Sequence, residues 1–403
     1  MADLVIRAGA NDAALLRRLY GTDGGPPAAR TPDRVVVDAH VADDNPGIGM
    51  TARTAGVPFL IDPQTYYLQD VQHAADPWVR LPFATPDALT PAELMGQVVQ
   101  DRLVNQVIEH QVTNGATAVI APYVHIEGVS NGWLEVQAGL WRRTRACLDQ
   151  QNIALPVIGL LALGWRCLHP TQGISKLGPV WAALRNLGPV EVALAASKVH
   201  LGANADERLV DLLTLVRNLS SDYPVLMWQQ GLLGEACVIA GASGYETGIG
   251  YREKCELNTA MSNHRGIRSG APGARPVYVE SLGRSIPKRS LEQVQKNRRL
   301  WPRILCADSD CCPPGGAGLL GDARAHAVVS RARNLNRLAT INQTQWKWNH
   351  LADKAAEGLS IASRVNLLAA DSSLVSKVDT AALSAINDVA SGRRHRKPIR
   401  RSA

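Results

Sequence analysis

The chain has 403 residues, 46% hydrophobic and 20% charged, with a formal net charge of +7. That is ordinary globular composition, and no apolar run approaches the roughly 18 residues a membrane-spanning helix requires, so a soluble protein without membrane contact is expected. Six of the positive charges, Arg393, Arg394, Arg396, Lys397, Arg400 and Arg401, fall near the C-terminus, so the remainder of the chain is close to neutral. The N-terminus has no apolar segment before a small-residue cleavage site, and the seven cysteines lack the spacing of a disulfide framework. Both features point to a reducing cytoplasm.

In chain order, residues 1–30 read as an N-terminal extension. Short apolar, β-branched runs follow at 34–38, 58–62, 117–121, 156–161, 190–194, 224–228, 236–240, 276–279 and 303–306. Such continuous apolar runs suit strands buried on both faces of a sheet. Helical periodicity separates many of them, at 91–113, 133–150, 175–186, 206–219 and 288–300. This alternation predicts a parallel α/β fold, and the number of units favours a (β/α)8 barrel of the TIM type over 31–305. One candidate strand then lies outside the barrel, with 34–38 and 303–306 the ambiguous ones. A doubly wound open sheet is the rival, but no G-x-G-x-x-G follows the first strands. Beyond the barrel, 306–388 read as a Cys/His site with C-terminal helices, and 389–403 as a basic disordered tail.

In such barrels the residues just past the strands' C-terminal ends face substrate. Here they are Asp38 and His40; Asp62, Gln64 and Thr65; Tyr123, His125 and Glu127; Lys198; Trp228, Gln229 and Gln230; Ser243 and Glu246; and Glu280. Asp62 directly follows the apolar Phe59-Leu60-Ile61, where a carboxylate can be partly desolvated for acid-base or nucleophilic work; the same position suits an N-cap before Pro63. Gly241 to Gly250, with Ser243 and Glu246, reads as a glycine-rich loop after the 236–240 strand, able to bring backbone N–H groups to a phosphate or a base edge, or simply a tight loop. Cys306, Cys311, Cys312 and His326 form a full ligand set for one structural Zn2+; otherwise the thiols are reduced loop and core residues. Segment 284–303 is basic, with Lys288, Arg289, Lys296, Arg298, Arg299 and Arg303 against Glu292, and with the tail 393–401 it could neutralise nucleic-acid phosphates or be plain solvated surface.

In this order of features the chain resembles the tRNA-guanine transglycosylase superfamily. Phe59 to Tyr66 is similar to that family's D-S-G-G-F segment through Asp62, Ala240 to Glu246 to its G-G-L-x-V-G-E segment, and Val279 to Pro287 to its L-M-G-V-G-T-P strand end. The chain departs from the family in the nucleophile stretch, where it offers only Asp308 or Asp310, and in the metal motif, which is C-x4-C-C with a nearer histidine. The resemblance extends in outline over 55–340, and the branch that places 7-deazaguanine bases in DNA tolerates such departures better than the tRNA branch.

The resemblance implies exchange of a guanine-type base for a 7-deazaguanine in DNA or tRNA. Asp62 and Asp308 are the catalytic candidates, and Gln64, Tyr123, His125, Trp228, Gln229, Gly241, Ser243 and Glu246 the substrate-binding ones. Nucleic acid and a small deazaguanine base are the implied partners, while partner proteins or a homodimer remain open. Two other function classes stay in view: a flavin-dependent barrel oxidoreductase holding phosphate at Gly241 to Gly250, and a non-catalytic nucleic-acid-binding barrel.

Overall fold

A computed structural model describes residues 1–266, 274–306, 308, 309, 311, 312 and 317–395, with backbone alone for 393–395. Nine parallel segments make the main sheet: β1 (Asp3–Arg7), β2 (Arg34–Asp38), β3 (Phe59–Asp62), β4 (Val119–Ile120), β5 (His125–Ile126), β6 (Val157–Gly164), β7 (Glu191–Ser197), β8 (Val225–Met227) and β9 (Gly244–Gly248). The order around the sheet is β3-β2-β1-β9-β8-β7-β6-β4, with β5 also on β6. β4 and β5 are two halves of one interrupted strand: Val119 and Ile120 pair with Val157 and Ile158, then His125 and Ile126 with Ala162 and Leu163. Counted so, eight strands in sequential order form a (β/α)8 barrel. Its apolar strands are buried along their length, and helices such as Gln97–Thr113, Trp133–Gln150 and Ala205–Leu219 lay their apolar faces over them.

The closure between β3 and β4 is made differently from the other seams. Thr117 N donates to Phe59 O at 2.8 Å, and Phe59 N donates to the Thr117 hydroxyl at 3.0 Å. Beyond this point side chains satisfy the interrupted backbone. Gln111 accepts from Ile120 N (2.8 Å) and donates to Ile120 O (2.9 Å), Thr65 bridges the N–H and C=O of Tyr123, Gln137 accepts from Val124 N (2.9 Å), and Gln69 clasps both backbone groups of His125. Buried backbone groups need such partners, and here the ladder does not supply them.

Three expectations are corrected. Residues 1–30 are not an extension: β1 lies between β2 and β9, with Val5 opposite Arg34 and Glu246. The run 236–240 belongs to the helix Gly234–Ala240, and the strand is the glycine-rich segment after it, β9. A short apolar run does not distinguish a buried strand from a buried helix turn. A Cβ on Gly244 would lie 2.3 Å from Asp3 O, so a strand this close to its neighbour requires the glycine that made it look like a loop. The run 303–306 likewise begins in the short helix Trp301–Ile304.

The strand expected at 276–279 is β10 (Val277–Val279), outside the barrel and antiparallel to β11 (Arg284–Ile286). Val277, Val279, Leu282 and Ile286 share a second core with Leu291, Val294, Ile361 and Val365. The helices Ala323–Thr340, Thr344–Asp371 and Ala381–His395 complete this appendix. The boundary expected at 389 falls inside the last helix, where Val389 and Ala390 are buried. Residues 396–403, including Arg396, Lys397, Arg400 and Arg401, lie outside the described residues, as does Asp310; for Arg393 and Arg394 only the helical backbone is described. Among the described residues no helix is long and apolar enough to cross a membrane, and all seven cysteines are free thiols.

Candidate functional site

Parallel strands that end together deliver their last side chains to one place. Arg7 ends β1, Asp38 ends β2 and Asp62 ends β3, with Asp38 and Asp62 directly opposite in register. Arg7 bonds Asp38 at 2.6 Å, Asp62 at 2.9 Å and Glu246, on β9, at 3.0 Å. All four side chains are essentially inaccessible to solvent. A second arginine, Arg252, reaches Asp38 from the turn after β9. Two guanidinium groups against three carboxylates leave one formal negative charge in this cluster.

The environment separates the three carboxyls. Burial alone would raise Asp38, but Arg252 and Arg7 outweigh it and hold the group well below the usual carboxylate range. Burial pushes Glu246 upward, with Arg7 and the Gln229 N–H (2.8 Å) pulling the other way. Asp62 is ion-paired to Arg7 and accepts from Gln64 N at 3.0 Å, from the Tyr123 hydroxyl at 2.9 Å and from Trp228 Nε1 at 3.2 Å. Its position is therefore fixed from four directions. The Arg7 guanidinium lies 5.2 Å from the Trp228 ring centroid, a cation–π contact that also orients the indole.

Backbone conformation marks the same face. Among the described residues five non-glycine residues have positive φ, and four of them, Gln64 (50°), Lys198 (61°), Gln229 (54°) and Arg252 (54°), follow β3, β7, β8 and β9. Each such residue costs on the order of 1–3 kcal/mol, and such strain concentrates at functional sites. Gln64 adds a second sign: its side chain is fully buried, yet neither amide atom has a hydrogen-bond partner among the described residues. An unpaired buried amide costs about 1–3 kcal/mol, which a ligand with a matching donor and acceptor would recover.

The structure thus brings together Asp62, Glu246, Gln64, Tyr123, Trp228 and Gln229. His125 lies farther round the mouth, with Nε2 3.5 Å from Glu127 Oε2 and its pKa pushed down to about 4 by burial and by Lys198, with Asn258 opposing. Gly241 and Ser243 are not part of this group. They precede β9, at the opposite end of the barrel from Asp62; Gly241 caps the helix Gly234–Ala240, and Ser243 bonds Glu191. The expected phosphate loop is likewise absent, because the N–H groups of Gly244 to Gly248 belong to a strand paired with β1 and β8. Arg7 and Arg252 are the residues sequence reasoning missed. The Leu4-Val5-Ile6 run before Arg7 was the available signal.

Asp308 sits apart from Asp62, in the appendix, salt-bridged to Arg333 at 2.5 Å. Beside it Cys306, Cys311, Cys312 and His326 place their ligand atoms within 4.8 Å of one another. Sγ–Sγ is 3.5 Å for Cys306 and Cys311, and His326 Nδ1 is 3.1 Å from Cys312 and 3.7 Å from Cys311. A tetrahedral ion bonded at about 2.0–2.3 Å would set its ligands roughly 3.3–3.8 Å apart, so this group can hold a metal ion. His326 Nε2 lies 3.1 Å from Tyr278 O; donating there leaves the Nδ1 lone pair facing the thiols.

No protein-family model matches this sequence, and no curated protein matches it significantly. Among solved structures, a GH18 chitinase from Pseudoalteromonas aurantia aligns with TM-score 0.39 and 8% identity over 65% of this chain and 100% of that one. A putative phosphonomutase from Burkholderia cenocepacia J2315 gives 0.34 and 12% over 61% and 86%. Orotidine 5'-monophosphate decarboxylase from Sulfolobus solfataricus gives 0.33 and 13% over 65% and 95%. Likeness this low carries no argument about reaction or substrate; the barrel assignment rests on the chain's own strand register.

Proposed function

We propose that the chain is a base-exchanging transglycosylase that replaces a guanine-type base in DNA or tRNA by a 7-deazaguanine. The observation that carries this reading is the pairing of Asp62 and Glu246 through Arg7 at the barrel mouth, beside the unpartnered Gln64 amide. In the exchange a carboxylate oxygen bonds to the anomeric carbon as the old base leaves with the glycosidic electron pair and takes up a proton. The incoming base then gives up a proton, bonds to the same carbon and releases the carboxylate. We assign Asp62 to the sugar, and Glu246 and Gln64 to the base. Asp308, tied to Arg333, serves the Cys/His cluster in this assignment. A structural Zn2+ at Cys306, Cys311, Cys312 and His326 would tie the three cysteines to the helix Ala323–Thr340, which carries His326. The exposed Arg289, Lys296, Arg298 and Arg299, with the basic C-terminal residues, would track the phosphate backbone. A flavin-dependent oxidoreductase has lost the loop it depended on, since that segment is β9.

The test is incorporation of a labelled 7-deazaguanine into DNA and into tRNA, with zinc measured in the same preparation. Wild type is expected to exchange and to contain one zinc per chain, and Asp62→Asn to lose activity on the order of 10^4-fold. Thermal unfolding checks that the variant is folded. Full activity in a folded Asp62→Asn overturns the role given to Asp62, and no exchange by wild type on either nucleic acid overturns the reading in favour of a non-catalytic barrel.

A further inference from the structure

Outside the Arg7 cluster, on the same face, a cleft opens between the loops after β2, β3 and β9. His40, His73, Asp76, Arg252, Asn263 and His264 line it. Its groups differ in how far they are already engaged. His264 is used on both ring nitrogens, by Asp76 at 2.5 Å and by the Tyr67 hydroxyl at 2.9 Å, so it is a fixed wall of the cleft. His73 accepts from Ala75 N through Nδ1, which leaves Nε2. His40 Nδ1 is buried without a hydrogen-bond partner among the described residues. Arg252, strained at φ 54°, bonds Asp38 only through Nη1, at 2.6 Å to Oδ1 and also to Oδ2. Among the described residues nothing engages the rest of its guanidinium, which is left for the cleft, where its side chain is 36% exposed.

We propose that this cleft binds a phosphate group, held by Arg252, His40 and His73, and so sets a phosphate ester beside Asp38 at the rim of the Arg7 cluster. A metal ion fits less well, because His264 has no lone pair to spare and the only metal-type cluster among the described residues is the Cys/His one. A planar guanidinium with one edge anchored presents its other donors in fixed directions, which is how arginine recognises phosphate oxygens. Burial keeps His40 below its ordinary pKa, with Arg252 acting the same way and Asp38, Asp76 and Asp44 opposing. A neutral ring still donates one N–H to an anion. Among the described residues lining the cleft Asp76 is the one carboxylate, and it is engaged by His264. This site deepens the base-exchange reading, because a nucleic-acid substrate must place a backbone phosphate near the attacked sugar; a free nucleotide would present the same chemistry.

The test does not depend on base exchange. Calorimetry on the full chain measures the affinity of inorganic phosphate, of deoxyguanosine 5'-monophosphate and of deoxyguanosine, for wild type, Arg252→Gln and His40→Asn. Phosphate and the nucleotide are expected to bind, the nucleotide more tightly than the nucleoside. Each variant should weaken phosphate tenfold or more while keeping the wild-type far-ultraviolet spectrum. Competition of inorganic phosphate against a short single-stranded oligonucleotide then tells a backbone phosphate, which is displaced, from a free nucleotide, which alone is displaced. Absence of phosphate binding to wild type, or unchanged affinity in both folded variants, overturns the site even if base exchange is found. Phosphate binding without base exchange would retain the site and overturn only the reaction.

Discussion

Arg7 is shared by three carboxylates, so its loss would leave three buried acids with one remaining cation, Arg252, which reaches only Asp38. Breaking a buried ion pair from one side costs about 3–5 kcal/mol. Arg7→Met is expected to destabilise the barrel by at least that amount in urea unfolding, and Arg7→Lys to recover little of it, since an ammonium cannot fork between Asp62 and Glu246. His125 adds a pH dependence of its own. Its folded pKa is near 4, below the unfolded value of about 6.5. On acidification the unfolded chain takes up the proton first, so stability is fully present above about pH 6.5 and falls as pH drops toward 4. Urea midpoints at pH 7, 5.5 and 4.5 should show this slope in wild type and a flatter one in His125→Gln. Asp62 was legible in the sequence because a carboxylate directly after Phe59-Leu60-Ile61 stands where a buried strand ends, and a barrel turns that end toward its mouth. Arg7 was not, because an arginine after three apolar residues near the N-terminus looks like solvated surface until its partners arrive from positions 38, 62 and 246.

Among the elements, β9 shows where patterning misleads. Its glycines suggest a loop, but the close approach of β1 demands Gly244, and the apolar run just before it is a single buried helical segment. Gly244→Val should therefore cost more than a typical surface change. The new Cβ meets the Asp3 carbonyl at 2.3 Å, backbone that cannot move without opening the β1–β9 pairing. A loss of about 2 kcal/mol or more in denaturant midpoint is expected, within the range for overpacking; an unchanged midpoint would show that β1 is not anchored there. Helices with clear periodicity were legible: 133–150 matches Trp133–Gln150, and 206–219 lies within Ala205–Leu219. Single apolar runs shorter than six residues lacked the length that separates strand from helix.

At the scale of the molecule, the barrel and its appendix share a boundary that composition could not place. The basic C-terminal sequence hides a helix whose Leu383, Ile386, Val389 and Ala390 are buried and which packs on Ala205–Leu219 and Thr344–Asp371. Ending the chain at 395 should leave the urea midpoint unchanged. Ending it at 380 should lower the midpoint and expose apolar surface to a hydrophobic dye, since each large buried apolar side chain contributes about 1.5–3 kcal/mol. Equal midpoints for the two truncations would mean that the last helix is not part of the folded core.

The closure between β3 and β4 carries a consequence of its own. Where a backbone ladder joins two strands, substitutions hardly alter the hydrogen bonds, because every residue type supplies the same peptide groups. Along Ile120 to His125 most of the peptide groups facing away from β6 are tied instead to Gln111, Thr65, Gln137 and Gln69. There the sequence itself writes the stitching of the barrel. A drift from glutamine to glutamate at 69 or 111, conservative by size, would remove the donor that reaches a strand carbonyl and set a charge against it. The wall carrying Tyr123 and His125 is thus the part of the barrel whose shape one substitution can retune, and through the Tyr123 hydroxyl that change reaches Asp62.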